Sequence, residues 1–157
     1  GPLQANKTRM VAERFDWVET VERIRIAERL SAQRPADMPP LNVLIEVNID
    51  GEASKSGIAP EALEAFAAQV AALPRLKLRG LMAIPAPAED EASRMKPLAA
   101  MRRLFDDYKA RHPEAADFDT LSMGMSADMR EAVVAGSTEV RVGSAIFGQR
   151  DYSKKNK

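Results

Sequence analysis

The sequence predicts an α/β fold built on a parallel sheet. Apolar, β-branched runs alternate with segments of helical period along most of the chain. The runs are nearly continuous, as in strands with both faces covered. The last two end in glycine and serine, the small residues that turn a strand into a helix.

A helix is expected over residues 6–15, and "DWVET" (16–20) follows as a weak strand. Ile24, Ala27 and Leu30 stand at helical spacing, which predicts a helix over 22–33. "MPP" breaks the chain before "LNVLIEVNI", a strand over 41–49. Pro60 opens the next helix at a position where its missing N–H costs nothing. That helix presents Leu63, Phe66, Ala67 and Val70 on one face, and Pro74 stops it. "LRGLMAIP" is the strand over 78–85.

A longer helix over 93–111 buries Met95, Leu98, Met101, Phe105 and Tyr108, with Pro97 in its first turn or kinking it. "FDTLSMG" is the strand over 118–124. Ser126 is positioned to cap a helix over 127–135, Asp128 suits that helix's positive end, and Gly136 suits the position just past its C-terminus. "EVRVGSAIFG" predicts a last strand over 139–148. No repeat, low-complexity segment or second domain interrupts residues 1–157, so one domain is expected.

Two architectures fit this rhythm. A five-stranded doubly wound sheet suits about 150 residues. A (β/α)8 barrel takes about 250 residues, or about 30 per unit. The chain's 157 residues hold five such units, so length favours the doubly wound sheet.

Composition excludes several functions. Lys plus Arg and Asp plus Glu are both 23, so no net charge draws the chain to nucleic acid or an anionic membrane. A basic block appears only in the tail "KKNK". There is no cysteine, which rules out disulfides, thiolate metal sites and cysteine nucleophiles. The absence of a signal-like stretch or a membrane-length apolar run makes a cytoplasmic protein the expectation.

The segment "SMGMSADMREAVVAGSTEVRVGSAIFG" (122–148) carries the strongest chemical signal. Twice in succession a strand runs into a small-residue turn and a helix start, at "SMGMS" and "GSAIFG". Free backbone N–H groups there attract an anion, and barrel enzymes often hold phosphate at their last two strand ends. Ser126 and Ser144 add hydroxyl donors. Arg141 alternates with Val140 and Val142, so inside a barrel it would need a partner and would be a candidate ligand contact. In a plainer reading, the glycines serve only tight turns and Arg141 is a surface residue.

Other motifs carry less. "NIDGEASKSG" resembles a calcium loop, but Gly57 stands where a bidentate glutamate is needed. "SKSG" lacks the order of a P-loop. Lys55 lies in a strand-to-helix loop where active groups collect, although most such lysines are simply solvated. His112, the only histidine, ends a helix where a cation is favoured. Trp17 and the methionines read as core.

Taken together, "GPLQANK", "NIDGEASKSGI", "LRGLMAIP" and "LSMGMSADMREAVVAGSTEVRVGSAIFGQRDYSKK" resemble the pyridoxal phosphate homeostasis protein family over essentially the whole chain. The resemblance decides for the barrel, of the alanine racemase N-terminal type, and implies that about its last five β/α units are present. It implies a pyridoxal 5′-phosphate binder in vitamin B6 and amino-acid homeostasis, with no firm catalytic activity. Ser126, Gly143 and Ser144 would hold the phosphate. Arg141 would face the pyridine nitrogen and disfavour its protonation, and Ser122 and Met123 would line the site.

In the family, "GPLQ" follows the third strand and the Schiff-base lysine ends the first. Here Gly1 opens that motif, so the expectation is a fragment carrying the phosphate half of the site without the lysine. Five strands would leave open edges, inviting self-association or pairing with the N-terminal segment. The alternatives are a racemase-like enzyme, which needs a lysine and a second acid/base group, and an interaction module that pairs through its open edges.

Overall fold

The computed structural model describes residues 2–52 and 54–148. The "KKNK" tail and the end of the family motif lie outside them. Five strands, β1 (Trp17–Val21), β2 (Leu41–Glu46), β3 (Leu76–Met82), β4 (Thr120–Met125) and β5 (Glu139–Arg141), form one parallel sheet in chain order. The helices are α1 (Thr8–Arg14), α2 (Ile24–Gln33), α3 (Leu63–Ala71), α4 (Glu91–Arg111), α5 (Met129–Val134) and α6 (Ser144–Phe147).

Strand order decides the architecture. Crossovers between parallel strands are right-handed, so strands laid down in sequence put every helix on one face. A doubly wound sheet requires the order to reverse partway. Because β1 to β5 never reverse, the doubly wound alternative is wrong and the sheet is the wall of a barrel.

The helix-side core explains the apolar runs. Ile45, Leu81, Leu121 and Met123 pack against Leu98, Met101 and Phe105 of α4. Val21, Leu41 and Val43 pack against Leu30 of α2 and Val70 of α3. Each fully buried side chain of this size contributes about 1.5–3 kcal/mol. The residues between them, including Glu19, Leu44, Glu46 and Ser122, face the concave side, because side chains alternate along a strand.

One glycine permits this curvature. The β2–β3 register runs Val43↔Leu78 and then Leu44↔Gly80, leaving Arg79 as an extra residue in a bulge. Gly80 has φ 151°, and a Cβ there would lie 1.7 Å from the Thr120 carbonyl oxygen. Only glycine lets β3 and β4 approach so closely.

Several boundaries differ from expectation. Helix α4 starts at Glu91 because Asp90 caps it, accepting from the Ser93 amide at 2.8 Å. Pro97 is therefore in the helix interior rather than its first turn. The last strand ends at Arg141, not residue 148, since Gly143 turns the chain into α6. Trp17 is not core: it is 37% exposed, with the Arg79 guanidinium 4.7 Å from its ring centroid. The outer strands β1 and β5 have one neighbour each among the described residues. Beyond β5, Ile146 and Phe147 are 67% and 85% exposed. No described helix is long and apolar enough to cross a membrane.

His112 caps α4 at its C-terminus, stacked on Tyr108 and bonded to both Glu64 and Glu114. The bond to Glu64, then that to Glu114, raises its pKa above the ordinary 6.5. The folded state therefore holds this proton more tightly than the unfolded chain. The stabilisation is fully present below pH 6.5 and is lost as pH rises through the folded value. Urea denaturation should show this decline in the parent and a flatter profile in His112→Gln. As the only histidine, its ring signal in a proton NMR titration reads the shifted pKa directly.

Candidate functional site

The C-terminal ends of β4 and β5 build a shallow hollow of ≈ 480 Å³, lined by Met125, Ser126, Arg141, Gly143 and Ser144 among others. Its floor depends on Gly124, where φ is 93° and a Cβ would lie 2.3 Å from the Ala132 Cβ of α5. Glycine here lets α5 press onto β4 and so sets the turn at Met125–Asp128.

Ser126 does not cap α5 as expected. Asp128 stands at that position without a side-chain cap bond, and its carboxylate accepts instead from the Met125 amide at 2.7 Å. This turn leaves the Ser126 hydroxyl free to face the neighbouring loop, where it accepts from the Ala145 amide at 3.3 Å. The two small-residue turns thus meet, with Ser126 against the first turn of α6. Gly136 does follow α5 with φ 91°, and the amide of Ser137 closes the helix onto Ala132 at 2.9 Å.

Arg141 crosses the wall of the hollow instead of facing solvent. Its Nη1 donates to the Ser122 hydroxyl at 2.6 Å and its Nη2 to the Ala83 carbonyl beyond β3 at 2.9 Å. Ser122, fully buried, in turn donates to Glu19 of β1 at 2.8 Å. Arg141 and Glu19 are 3.8 Å apart. The partner expected for an inward arginine is therefore a chain of groups spanning β1, β3 and β4. Met123 is placed differently from Ser122. Its side chain lies in the helix-side core with Leu121, so only its main chain can border the concave face.

Sequence reasoning missed the carboxylates. Glu139 stands in register with Ser122 and shares the concave side with Arg141, two residues along. Burial, and then the neighbouring Glu19, raises its pKa. Glu46 is only 4% exposed, and its Oε2 has no partner. Burial is the main cause of its raised pKa, with Glu22 adding to it. A glutamate inside the apolar run of β2 was the signal for Glu46. Glu19 offered none, because only the folded sheet brings it within reach of Ser122 and Arg141, far along the chain.

Lys55 lies at the same end of the sheet. It pairs with Asp50 at 3.0 Å and donates to the Ile84 carbonyl at 3.2 Å, so it is held rather than solvated. It does not line the hollow. No cluster of metal-ligating side chains occurs among the described residues.

The sequence profile of the alanine racemase N-terminal domain matches residues 1–151. The pyridoxal phosphate homeostasis protein of Escherichia coli K12 is 58% identical over 155 residues, covering 99% of this chain and 65% of that protein. The protein of that name from Pasteurella multocida is 55% identical over 154 residues, or 98% and 66% of the two chains. This chain thus spans about two thirds of the length of these relatives. PipY of Synechococcus elongatus, solved without and with PLP, is 32% identical over 94% of this chain and 68% of its own. The TM-scores are 0.84 and 0.83. An alanine racemase from Clostridium difficile shares the fold, with TM-score 0.73 at 14% identity over 98% of this chain and 39% of that one. The profile match over residues 1–151 and the identity to these relatives show that the chain belongs to the pyridoxal phosphate homeostasis protein family.

Proposed function

We propose that this chain binds pyridoxal 5′-phosphate through its phosphate and does no catalysis of its own. The carrying observation is the meeting of Ser126 with the first turn of α6 beside Arg141. Ser126, Gly143 and Ser144 line one hollow, and the nearby arginine supplies positive charge. The bound cofactor in the PipY structure supports this reading. Ser126, Gly143 and Ser144 hold the phosphate. Arg141, already donating through both terminal nitrogens, is an obligate donor and disfavours a proton on the pyridine nitrogen. Ser122 holds Arg141, and Met123 borders the site through its main chain.

The covalent half of the site is a lysine amine, and no lysine lines the hollow among the described residues. Pyridoxal phosphate should therefore bind reversibly. After borohydride reduction and peptide mapping, no single lysine should carry a stoichiometric adduct. A one-to-one adduct on Lys55 would overturn the half-site reading while leaving cofactor binding intact. Racemisation of an amino acid by the chain would overturn the non-catalytic reading.

A further inference from the structure

Arg141 is the one cation lining the hollow among the described residues. Whatever fixes its guanidinium fixes where a bound anion meets positive charge. We infer that Glu19 is a positioning residue for Arg141, acting through the Ser122 hydroxyl.

Counting protons leads there. A serine hydroxyl has one proton to give. Ser122 accepts from Arg141 at 2.6 Å and gives its proton to Glu19 at 2.8 Å. Glu139 lies 3.4 Å from the same hydroxyl, which has nothing left to donate. Glu139 therefore stands outside the relay, and burial raises its pKa.

The other groups around the corner do not replace Glu19 in this relay. Glu46 of β2 has an unpartnered oxygen and is itself pushed toward its neutral form by burial. Glu22, after β1, accepts the Gly57 amide at 2.7 Å. Lys55 is taken by Asp50, β3 offers the Ala83 carbonyl, and β4 offers Ser122.

The benefit to the cradle rests on the proposed cofactor reading. The side-chain arrangement does not, so its test uses the full chain without ligand. The readout is hindered rotation of the Arg141 terminal nitrogens in nitrogen-15 NMR. Glu19→Ala should speed that rotation about tenfold, the effect of losing one charge-assisted bond. Glu19→Gln keeps an acceptor oxygen and should restore most of the hindrance. Ser122→Ala cuts the relay without altering any charge and should match Glu19→Ala; it carries the test if Glu19→Ala does not fold.

Glu139→Gln provides the control: the Ser122 proton goes to Glu19 at 2.8 Å, with Glu139 farther off at 3.4 Å, so Arg141 should stay hindered in this variant. Unaltered rotation in both Glu19→Ala and Ser122→Ala would overturn the positioning role. Loss of hindrance in Glu139→Gln equal to that in Glu19→Ala would overturn the assignment of the relay to Glu19.

Discussion

Replacing Gly80 with alanine should destabilise the fold by about 3–5 kcal/mol, the sum of backbone strain and overpacking. A Cβ at this position would sit 1.7 Å from the Thr120 carbonyl oxygen and 2.7 Å from its carbon. Both are backbone atoms, so no side chain can rotate away to make room. The chain must separate β3 from β4, and Ala83, just beyond β3, and Ser122 of β4 are the two acceptors of Arg141. Gly51 separates the two costs. Its φ is 69°, yet nothing lies within 4 Å of an added Cβ. Gly51→Ala should therefore cost only about 1 kcal/mol, from strain alone. Urea denaturation midpoints of the two variants compare them directly. Equal shifts would mean that close approach of β3 to β4 does not hold the sheet.

The contrast bears on how far a sequence can be read. Strands and helices were legible wherever local rules decide them. The apolar run of β2, the Pro60 helix start and Gly136 past α5 all follow from periodicity or backbone preference. Strand order was not legible, since handed crossovers give either architecture until the order is known. Length alone pointed the wrong way, and the family resemblance corrected it. The site shows the same division. Meeting of the two serine turns follows from consecutive strands being neighbours. That the Ser126 hydroxyl meets α6 depends on α5 starting after Asp128 rather than after Ser126, a choice between two residues that propensity does not rank. The Met123 side chain lies in the helix-side core, as alternation along β4 from the inward Ser122 requires. Glu19 required contact between residues 103 positions apart, through Ser122.

Ser144→Asp should weaken binding of pyridoxal phosphate or inorganic phosphate roughly 100-fold, by setting a carboxylate against a dianion within a few ångströms. The same substitution should leave stability unchanged or slightly raised. Position 144 is exposed and begins α6, where a negative charge is favoured by about 0.3–1 kcal/mol. Opposite signs for fold and site are what make the variant informative: a binding loss cannot be traced to unfolding when the denaturation midpoint has not fallen. Ser144→Ala removes one hydroxyl and should cost only about tenfold or less. Equilibrium dialysis against phosphate and against pyridoxal phosphate separates the anchoring group from the ring. Parallel losses for both place the phosphate between Ser126 and Ser144. A loss confined to pyridoxal phosphate would move the anchor to the ring side, toward Arg141, and undamaged binding of both in Ser144→Asp would remove the cofactor from this hollow.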